Sequence, residues 1–348
     1  MNPYQYLPAR AFWRTAIADR PAAQVSELWL PAFAIDPKDA IITAGSCFAQ
    51  HIGRAMVERG MRWLDAEPAP PELPRADWKA HNYGVFSFRT GNLYTPSMLR
   101  QWLEWALGVT APAQETWRRG ERWFDPFRPA VAPEGFASEH AVHEARATTL
   151  RAIRTAVERA KVMVFTLGLT EAWFNRHSGV FYPLCPGTLQ GTFDPQAHGF
   201  RNLGFAETYR EMAAALELMR SVNPQLRLLL TVSPVPLTAT ASGQHALVAT
   251  TYSKSVLRAV AGQLCADFQH VDYFPSYEII TGTPFKAAFY QPNQREVTPE
   301  GVAFVMQQFF AGLDAARPPA PAAATLPIGL SSEDLVCEDA RLDYYAKP

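Results

Sequence analysis

The sequence has few cysteines and no excess of charge of either sign. Its 348 residues include four cysteines and carry a formal net charge of -1. No two cysteines form a CxxC pair, so we expect neither a disulfide framework nor a thiol metal site. We expect a reducing, cytoplasmic environment instead. The near-neutral charge gives no electrostatic reason to expect a nucleic acid or an anionic membrane as partner.

Long apolar runs and cofactor motifs are also missing. No apolar stretch reaches the roughly 18 to 20 residues that span a bilayer, and residues 1–21 lack the continuous apolar core of a secretory signal. No GxGxxG or Walker sequence follows a predicted strand. His140 and His143 stand at helical spacing, but no third ligand is placed beside them. We therefore expect no membrane span, no metal and no cofactor.

What the sequence does contain is an alternation of buried strands and amphipathic helices. Hydrophobic residues make up 48% of the chain and charged residues 19%, as in a globular domain. Four apolar runs predict strands near 40–44, 162–167, 227–233 and 269–274, and helical periodicity separates them. Such alternation favours a parallel sheet covered by helices on both faces. The segment 174–204, rich in glycine and proline, is predicted to be a long loop.

The predicted elements divide the chain into three parts. Residues 1–39 form an N-terminal arm without an alternation of its own. Residues 40–316 form one α/β domain. Residues 317–348 begin with a linker-like run rich in proline and alanine, and they are expected to pack on the domain or to trail from it. We therefore expect one folded unit and two terminal segments.

Ligands of parallel sheets bind at the carboxyl ends of the strands. Three loops leave the predicted strands at that edge: 45–47, 168–171 and 234–245. The first holds two nucleophile-capable side chains, Ser46 and Cys47, where a strand passes into a helix. Thiolates are favoured at the N-terminus of a helix, and a serine there can instead serve as the helix cap.

Five ordered sequence blocks resemble the GSCFA family, from about residue 40 to about residue 310. They read GSCFA at 45–49, TLGLTEAW at 166–173, TVSPV at 231–235, YSKSVL at 252–257 and YFPSYEI at 273–279. That family is similar to the SGNH (GDSL-like) hydrolases. The resemblance implies a flavodoxin-like (SGNH-type) three-layer α/β/α sandwich with a parallel sheet, and acyl-ester chemistry at the first block.

The resemblance leaves two registers open for the nucleophile. The first SGNH block is Gly-Asp-Ser, in which the serine attacks. Matching glycine to glycine assigns the nucleophile to Cys47 and leaves Ser46 as a helix cap. Matching serine to serine assigns it to Ser46 and places Ala44 on the glycine. We prefer the first register because the turn needs the permissive backbone of Gly45.

The same resemblance indicates oxyanion and substrate-binding residues. The second SGNH block contributes a glycine N–H, for which Gly91 in RTGNLYTP is the candidate and Gly84 the alternative. The third block is Gly-x-Asn, and Gly168 and Thr170 occupy those places. A threonine hydroxyl donates less rigidly than an amide, so this match departs from the pattern.

The last SGNH block, Asp-x-x-His, is absent. The corresponding stretch here reads Arg295-Glu296-Val297-Thr298-Pro299, in which neither arginine nor threonine can act as a base at neutral pH. A base must then come from elsewhere. His245 follows the third strand, at the predicted edge of the sheet, and is the first candidate.

Two further histidines and one carboxylate complete the candidate set. His51 shares a helical face with Cys47 if the helix begins there. His198 lies on the predicted long loop and is expected to reach over the site. Glu171 is a candidate acid that orients His245, or a group that only caps or pairs locally. Ser253 and Lys254 suggest a serine–lysine pair, although a helix cap followed by an exposed lysine explains them as well.

These residues favour an acyl-handling enzyme: an esterase, a thioesterase or an acyltransferase. Its partner is expected to be a small-molecule or carbohydrate acyl ester or thioester, since a cysteine acyl intermediate stays activated. The rival hypothesis is a non-catalytic ligand-binding module or pseudoenzyme, which the missing Asp-x-x-His supports.

Overall fold

The computed structural model describes residues 2–316, so the predicted tail 317–348 lies outside the described residues. The described part holds strands β1 to β9 and helices α1 to α7, joined by loops and short 3-10 turns. The strands are Ile41–Gly45, Trp117–Arg119, Arg122–Phe124, Val162–Leu167, Glu171–Asn175, Phe181–Tyr182, His198–Asn202, Arg227–Val232 and Val271–Phe274; the helices are Ala49–Glu58, Pro96–Leu107, Glu139–Arg159, Phe205–Val222, Ala246–Asp267, Ser276–Thr281 and Pro299–Ala315.

The four predicted strands are neighbours in one parallel sheet. Their order is β1-β4-β8-β9, with Gly45 opposite Thr166 and Leu167 opposite Val232. Trp63 forms an isolated parallel bridge with Ile41 on the outer side of β1. The loops that follow β1, β4 and β8 therefore leave from the same edge, as predicted.

Helices cover both faces of this sheet. Successive side chains of a strand point to opposite faces, and here both faces are apolar. Ile42 and Phe165 join a core that includes α2 to α5, whereas Ile41 and Val164 join a core that includes α1, α6 and α7. The three layers are those of an α/β/α sandwich, and the predicted fold class is confirmed.

The prediction of a long loop over 174–204 is wrong in its details. A small antiparallel sheet of order β6-β5-β7 forms there, with Trp173 opposite both Tyr182 and Phe200. Its strands are short and interrupted by glycine and proline, so they carry little periodic signal. The two-stranded hairpin of β2 and β3 escaped prediction for the same reason.

The N-terminal segment packs against the sheet through one large side chain. Trp29 is buried, stacks on Phe309 at 5.3 Å between ring centroids and meets Phe274 edge-on at 5.2 Å. Its indole nitrogen donates to Asp272 Oδ2 at 3.1 Å. A second tie joins Gln308 Nε2 to the carbonyl of Val25 at 3.1 Å. Part of the arm thus contributes to the main core.

Across residues 2–316, no helix combines the length and the apolar character needed to cross a membrane.

Replacing Trp29 with alanine is expected to lower the free energy of unfolding by about 3–5 kcal/mol, since it leaves a cavity between β9 and α7. Trp13→Ala serves as the control, because Trp13 is 66% exposed and should change stability by no more than about 0.5 kcal/mol. Urea denaturation followed by circular dichroism measures both variants. Equal effects in the two would contradict a core role for Trp29.

Candidate functional site

The turn after β1 is held tightly against β4. Gly45 has φ +127°, a backbone conformation that residues other than glycine rarely adopt. A Cβ at Gly45 would collide with the main-chain carbonyl of Thr166. Ser46 N donates to the same carbonyl oxygen at 3.0 Å. Only glycine permits this approach, so the sequence choice at 45 fixes where Ser46 lies.

The helix after the turn begins later than the sequence suggested. Its first residue is Ala49, and the Phe48 cap position has no side-chain cap. The carbonyls of Ser46 and Cys47 accept from Ala49 N and Gln50 N at 2.9 and 3.1 Å. The expected capping role of Ser46 is therefore wrong: its hydroxyl has no hydrogen-bond partner within residues 2–316.

Ser46 faces the end of the neighbouring strand. The residue is 2% exposed. A Cβ placed on Gly168 would lie 3.0 Å from Ser46 Cβ and 3.1 Å from the carbonyl oxygen of Tyr94. Three segments that are distant in sequence thus meet at one point at the carboxyl edge of the sheet.

Cys47 points to a different environment from its neighbour. It is 3% exposed and belongs to the apolar core that contains Phe48, Ile52 and Val297. This is the core between the sheet and α7, whereas Tyr94 and Leu167 belong to the core on the opposite face. Cys47 therefore packs in the core on the α7 side of the sheet, whereas Ser46 lies beside Gly168 at the carboxyl edge.

The segment that contains Gly91 runs beside the turn. Leu93 N donates to the carbonyl of Gly45 at 2.9 Å, and the carbonyl of Tyr94 accepts from Gly168 N and Leu169 N at 3.0 and 2.9 Å. Gly91 itself has φ +68°. The predicted second block thus lies next to the first and third, with Gly91 two residues from the Gly45 contact.

The expected oxyanion donors of the third block are engaged in other bonds. Gly168 N already donates to Tyr94 O. Thr170 N donates to Ser253 Oγ at 3.0 Å, and Thr170 Oγ1 donates to Asn202 Oδ1 at 2.7 Å. In the geometry described, these groups support the loop and would have to exchange partners to bind a substrate oxygen.

A buried lysine lies behind the same loop. Lys254 is 1% exposed, and its Nζ donates to the carbonyl of Gly168 at 2.7 Å. Ser253 and Lys254 lie inside α5, whose cap residue is His245. The expectation of a serine cap followed by an exposed lysine is therefore wrong. The helix begins at Ala246, well before Ser253, so both side chains lie in the core instead of at the surface.

Glu171 supports the loop between β8 and α5. Its Oε1 accepts from the hydroxyl of Thr240, and its Oε2 accepts from Ala241 N at 3.3 Å. Burial raises the pKa of the Glu171 carboxyl, against the lowering effect of these hydrogen bonds. This carboxylate orients a loop of the site rather than a histidine.

His245 and His198 are both engaged in local bonds. His245 is exposed, and its Nδ1 caps α5 by accepting from Leu247 N at 3.2 Å. His198 lies in β7 instead of the predicted loop, where its Nδ1 accepts from Asp194 N at 3.0 Å. Tyr182 packs against the His198 ring at 5.6 Å. Neither imidazole forms one of the described hydrogen bonds of the turn.

His51 is the most unusual of the candidate side chains. It is fully buried, and neither ring nitrogen has a hydrogen-bond partner in the described range 2–316. Its ring lies 5.4 Å from that of Phe48. Burial, helped by the nearby Arg54, lowers the pKa of His51 to about 3. The imidazole is therefore neutral near pH 7 and a weak base.

The place of the absent Asp-x-x-His has a structural role. Thr298 caps α7, accepting from Gly301 N at 3.1 Å. Asn293 Oδ1 accepts from the main-chain nitrogens of Arg295 and Glu296, both at 3.0 Å. The side chains that replace a catalytic pair thus shape the entry to the last helix.

Metal-ligating side chains do not converge in residues 2–316: no group of three or more His, Cys, Asp or Glu could hold an ion there. His140 and His143 instead face the glutamates of their own helix, Glu144 at 3.2 Å and Glu139 at 3.9 Å.

Comparison with known proteins gives one result. The model of the GSCFA family matches residues 40–309 of the 348. No curated protein and no solved structure shows a significant match.

His51 predicts a dependence of stability on pH. Its pKa is 6.5 when unperturbed and about 3 in the fold, so below pH 6.5 the unfolded chain binds a proton that the folded chain excludes. The free energy of unfolding is therefore highest above pH 6.5, as far as His51 is concerned, and it falls as the pH falls from 6.5 towards 3. Between pH 7 and pH 5.5 this loss amounts to about 1.2 kcal/mol.

The measurement compares urea denaturation of the parent chain and His51→Met at pH 7 and pH 5.5. The parent should lose about 1.2 kcal/mol more than the variant over this interval, because the thioether does not titrate. His245→Gln, which alters an exposed imidazole, is the control. Parallel pH profiles for the parent and His51→Met would show that His51 is not held neutral by the fold.

Proposed function

Because the chain belongs to the GSCFA family, we propose that it is an acyl-handling enzyme whose nucleophile lies in the turn of Gly45, Ser46 and Cys47. The observation that carries this proposal is the Ser46 hydroxyl, which is buried without a hydrogen-bond partner beside Gly168. The class covers those esterases, thioesterases and acyltransferases that work through a serine or cysteine nucleophile and form an acyl intermediate on it.

The position of this hydroxyl supports a catalytic role. An unpartnered buried hydroxyl costs about 1–3 kcal/mol, and most buried polar groups avoid that cost. Ser46 lies at the carboxyl edge of a parallel sheet, where ligands of this architecture bind. A substrate that entered between the turn and Tyr94 would meet a hydroxyl that makes no hydrogen bond to the described part of the protein.

The turn offers two nucleophiles, and their surroundings favour Ser46. Its side chain meets two loops of the edge, whereas Cys47 packs among apolar side chains of the opposite core. Buried structural cysteines are inert in most proteins. Cys47 remains the alternative nucleophile, since it follows Ser46 directly in the same turn.

The general base is assigned to His245, on the loop that follows β8. The loop is anchored at this edge where Ser233 N donates to the carbonyl of Leu167 at 2.8 Å. His245 would need this loop to close over the turn, since its exposed ring now caps α5. His51 and Lys254 are the competitors. Loss of the base should lower kcat by roughly two or more orders of magnitude.

The substrate is proposed to be an acyl ester or thioester of a small molecule or carbohydrate. Carbohydrate is an assignment by fold analogy. The small antiparallel sheet adds aromatic surface beside Glu171: Trp173 meets Phe193 at 5.6 Å and Phe200 at 5.4 Å. Such half-buried aromatic faces suit a sugar ring or an acyl chain.

A covalent probe tests the nucleophile. Incubation with an alkyl fluorophosphonate should add one adduct, and peptide mass spectrometry should locate it on Ser46. Ser46→Ala should abolish labelling and ester hydrolysis, whereas Cys47→Ala should retain them. Cys265→Ala is the matched thiol control, because burial raises the pKa of Cys265 to about 11 and it lies in α5.

The opposite pattern would assign the nucleophile to Cys47, which iodoacetamide should then modify before Cys265. A parent chain that takes up neither probe and hydrolyses neither p-nitrophenyl acetate nor acetyl-thiocholine would overturn the proposal. Assays of His245→Ala, His51→Met and Lys254→Met, each checked for folding, identify the base in the same experiment.

The second function, a non-catalytic binding module, is favoured by Thr298. This residue and Arg295 stand where the resemblance expects histidine and aspartate, and Thr298 caps α7 instead. A fold that had lost hydrolysis could keep the turn as part of a ligand pocket.

Restoring the missing pair separates the two functions. The double variant Arg295→Asp with Thr298→His rebuilds Asp-x-x-His at an expected cost of about 1 kcal/mol in the lost cap. If the site is an inactivated hydrolase, ester hydrolysis should rise by two or more orders of magnitude over the parent chain. Thr298→Asp, which keeps a capping side chain without an imidazole, is the control. A fall in an already measurable activity would favour a native base elsewhere.

A further inference from the structure

A pocket of about 630 Å³ lies outside the candidate site. Its walls come from four segments: 76–82, the tip of the β2–β3 hairpin, 129–133 and 189–190. Ligand sites for small molecules have volumes of about 300–1,000 Å³. The pocket is thus large enough for a monosaccharide or a molecule of similar size.

The charged side chains that line this pocket are cationic. Among the residues that the structure describes, the charged side chains of the lining are Lys79 and Arg119. The Arg119 guanidinium lies 5.1 Å from the centre of the Phe124 ring, which places it over the hairpin. Two cations at the mouth of a cavity raise the local concentration of anions and form charge-assisted hydrogen bonds with them.

Two buried amides in the same wall have uncommitted oxygens. Asn82 is 2% exposed and Gln190 is 8% exposed, and neither Asn82 Oδ1 nor Gln190 Oε1 has a hydrogen-bond partner among the described residues. Asn82 Nδ2 contacts the carbonyl of Ala130 at 3.4 Å. An amide oxygen left in this state destabilises the fold, and a ligand hydroxyl would satisfy it.

The backbone holds Asn82 in position at the pocket. Its φ is +60°, in the left-handed region that asparagine tolerates better than most residues. Asn82 N donates to the carbonyl of Lys79 at 3.0 Å, and Tyr83 N donates to that of Trp78 at 2.9 Å. This turn brings the Lys79 cation and the Asn82 amide to one wall.

Arg89 makes the pocket walls rigid. Its Nε donates to the carbonyl of His81 at 2.9 Å, and its second guanidinium nitrogen donates to that of Val131 at 3.1 Å. The segments 76–82 and 129–133 are therefore joined by a buried side chain before any ligand arrives. A preformed pocket avoids the ordering cost of binding.

We propose that this pocket binds a sugar that carries an anionic group, either a carboxylate or a phosphate. Lys79 and Arg119 would pair with the anion, and the oxygens of Asn82 and Gln190 would accept from the sugar hydroxyls. The proposal concerns binding alone and does not depend on the chemistry of the turn at Ser46.

Calorimetric titration of the full chain with four probes tests the proposal. The probes are glucuronate, glucose 6-phosphate, neutral glucose and inorganic phosphate. One of the two charged sugars should bind at least tenfold more tightly than both glucose and phosphate. Which of the two does so identifies the anionic group as a carboxylate or a phosphate.

Variants locate the binding site. Arg119→Ala should weaken binding of the charged sugar at least fivefold. Arg118→Ala is the control and should not weaken binding, because the Arg118 side chain carries the same charge but is exposed and lies over Trp123. Asn82→Gly removes the amide while keeping a backbone that accepts positive φ, and should also weaken binding at least fivefold. Circular dichroism confirms that each variant is folded.

Three results would overturn the proposal. The first is that neither charged sugar binds at millimolar concentration. The second is that phosphate alone binds as tightly as glucose 6-phosphate, which would leave no role for the amides. Binding unchanged in both Arg119→Ala and Asn82→Gly would place the ligand elsewhere.

Discussion

The approach of Gly45 to the main chain of Thr166 is the constraint on which the candidate site depends. The two residues are partners in the β1–β4 register, and the absence of a side chain at 45 lets the turn close against β4. Ser46 is then pressed against Gly168, where a second missing side chain leaves room. One glycine at the end of β1 and one directly after β4 thus bring the ends of these strands together, and a Cβ at either would separate them.

Buried charged side chains hold the third segment of the candidate site, residues 88–95, in place. Glu67 accepts from Arg89 N at 3.0 Å and pairs with its guanidinium at 3.4 Å. Asp125 bonds both Arg128 and Arg146 at 2.8 Å. Burial alone would raise the pKa of Asp125, but these two arginines lower it. Removing one member of such a buried set usually costs 3–5 kcal/mol, about that of a whole core side chain.

This network explains how the 88–95 segment, which belongs to no helix or strand, is held beside the sheet. Arg89 anchors its start, and the contacts of Leu93 and Tyr94 with Gly45 and Gly168 anchor its end. Gly91, with its positive φ, lies between the two anchors. The site is therefore assembled by main-chain contacts, with side chains acting mainly as supports.

Sequence reasoning recovered the sheet because its central strands, β4 and β8, are rich in apolar residues on both faces. The cap of α2 at Thr95 is predictable too, since cap chemistry is local. The burial of Lys254 was not predictable, because lysine side chains are normally exposed and only tertiary contacts bury them. The unpartnered hydroxyl of Ser46 was equally invisible: a serine before a helix normally caps it.

The differences between sequence expectation and structure point in one direction. Gly168 and Thr170 give their hydrogen bonds to the fold, Glu171 supports a loop, and Thr298 caps a helix where a base was expected. Each of these groups is committed, whereas the hydroxyl of Ser46 and the imidazole of His51 are not. Polar groups kept buried without partners destabilise a fold, so a purely structural account leaves both unexplained. The chemistry or ligand binding that we propose at the turn would account for the first of them, and it would require that the surrounding loops exchange some of their present bonds when a substrate enters.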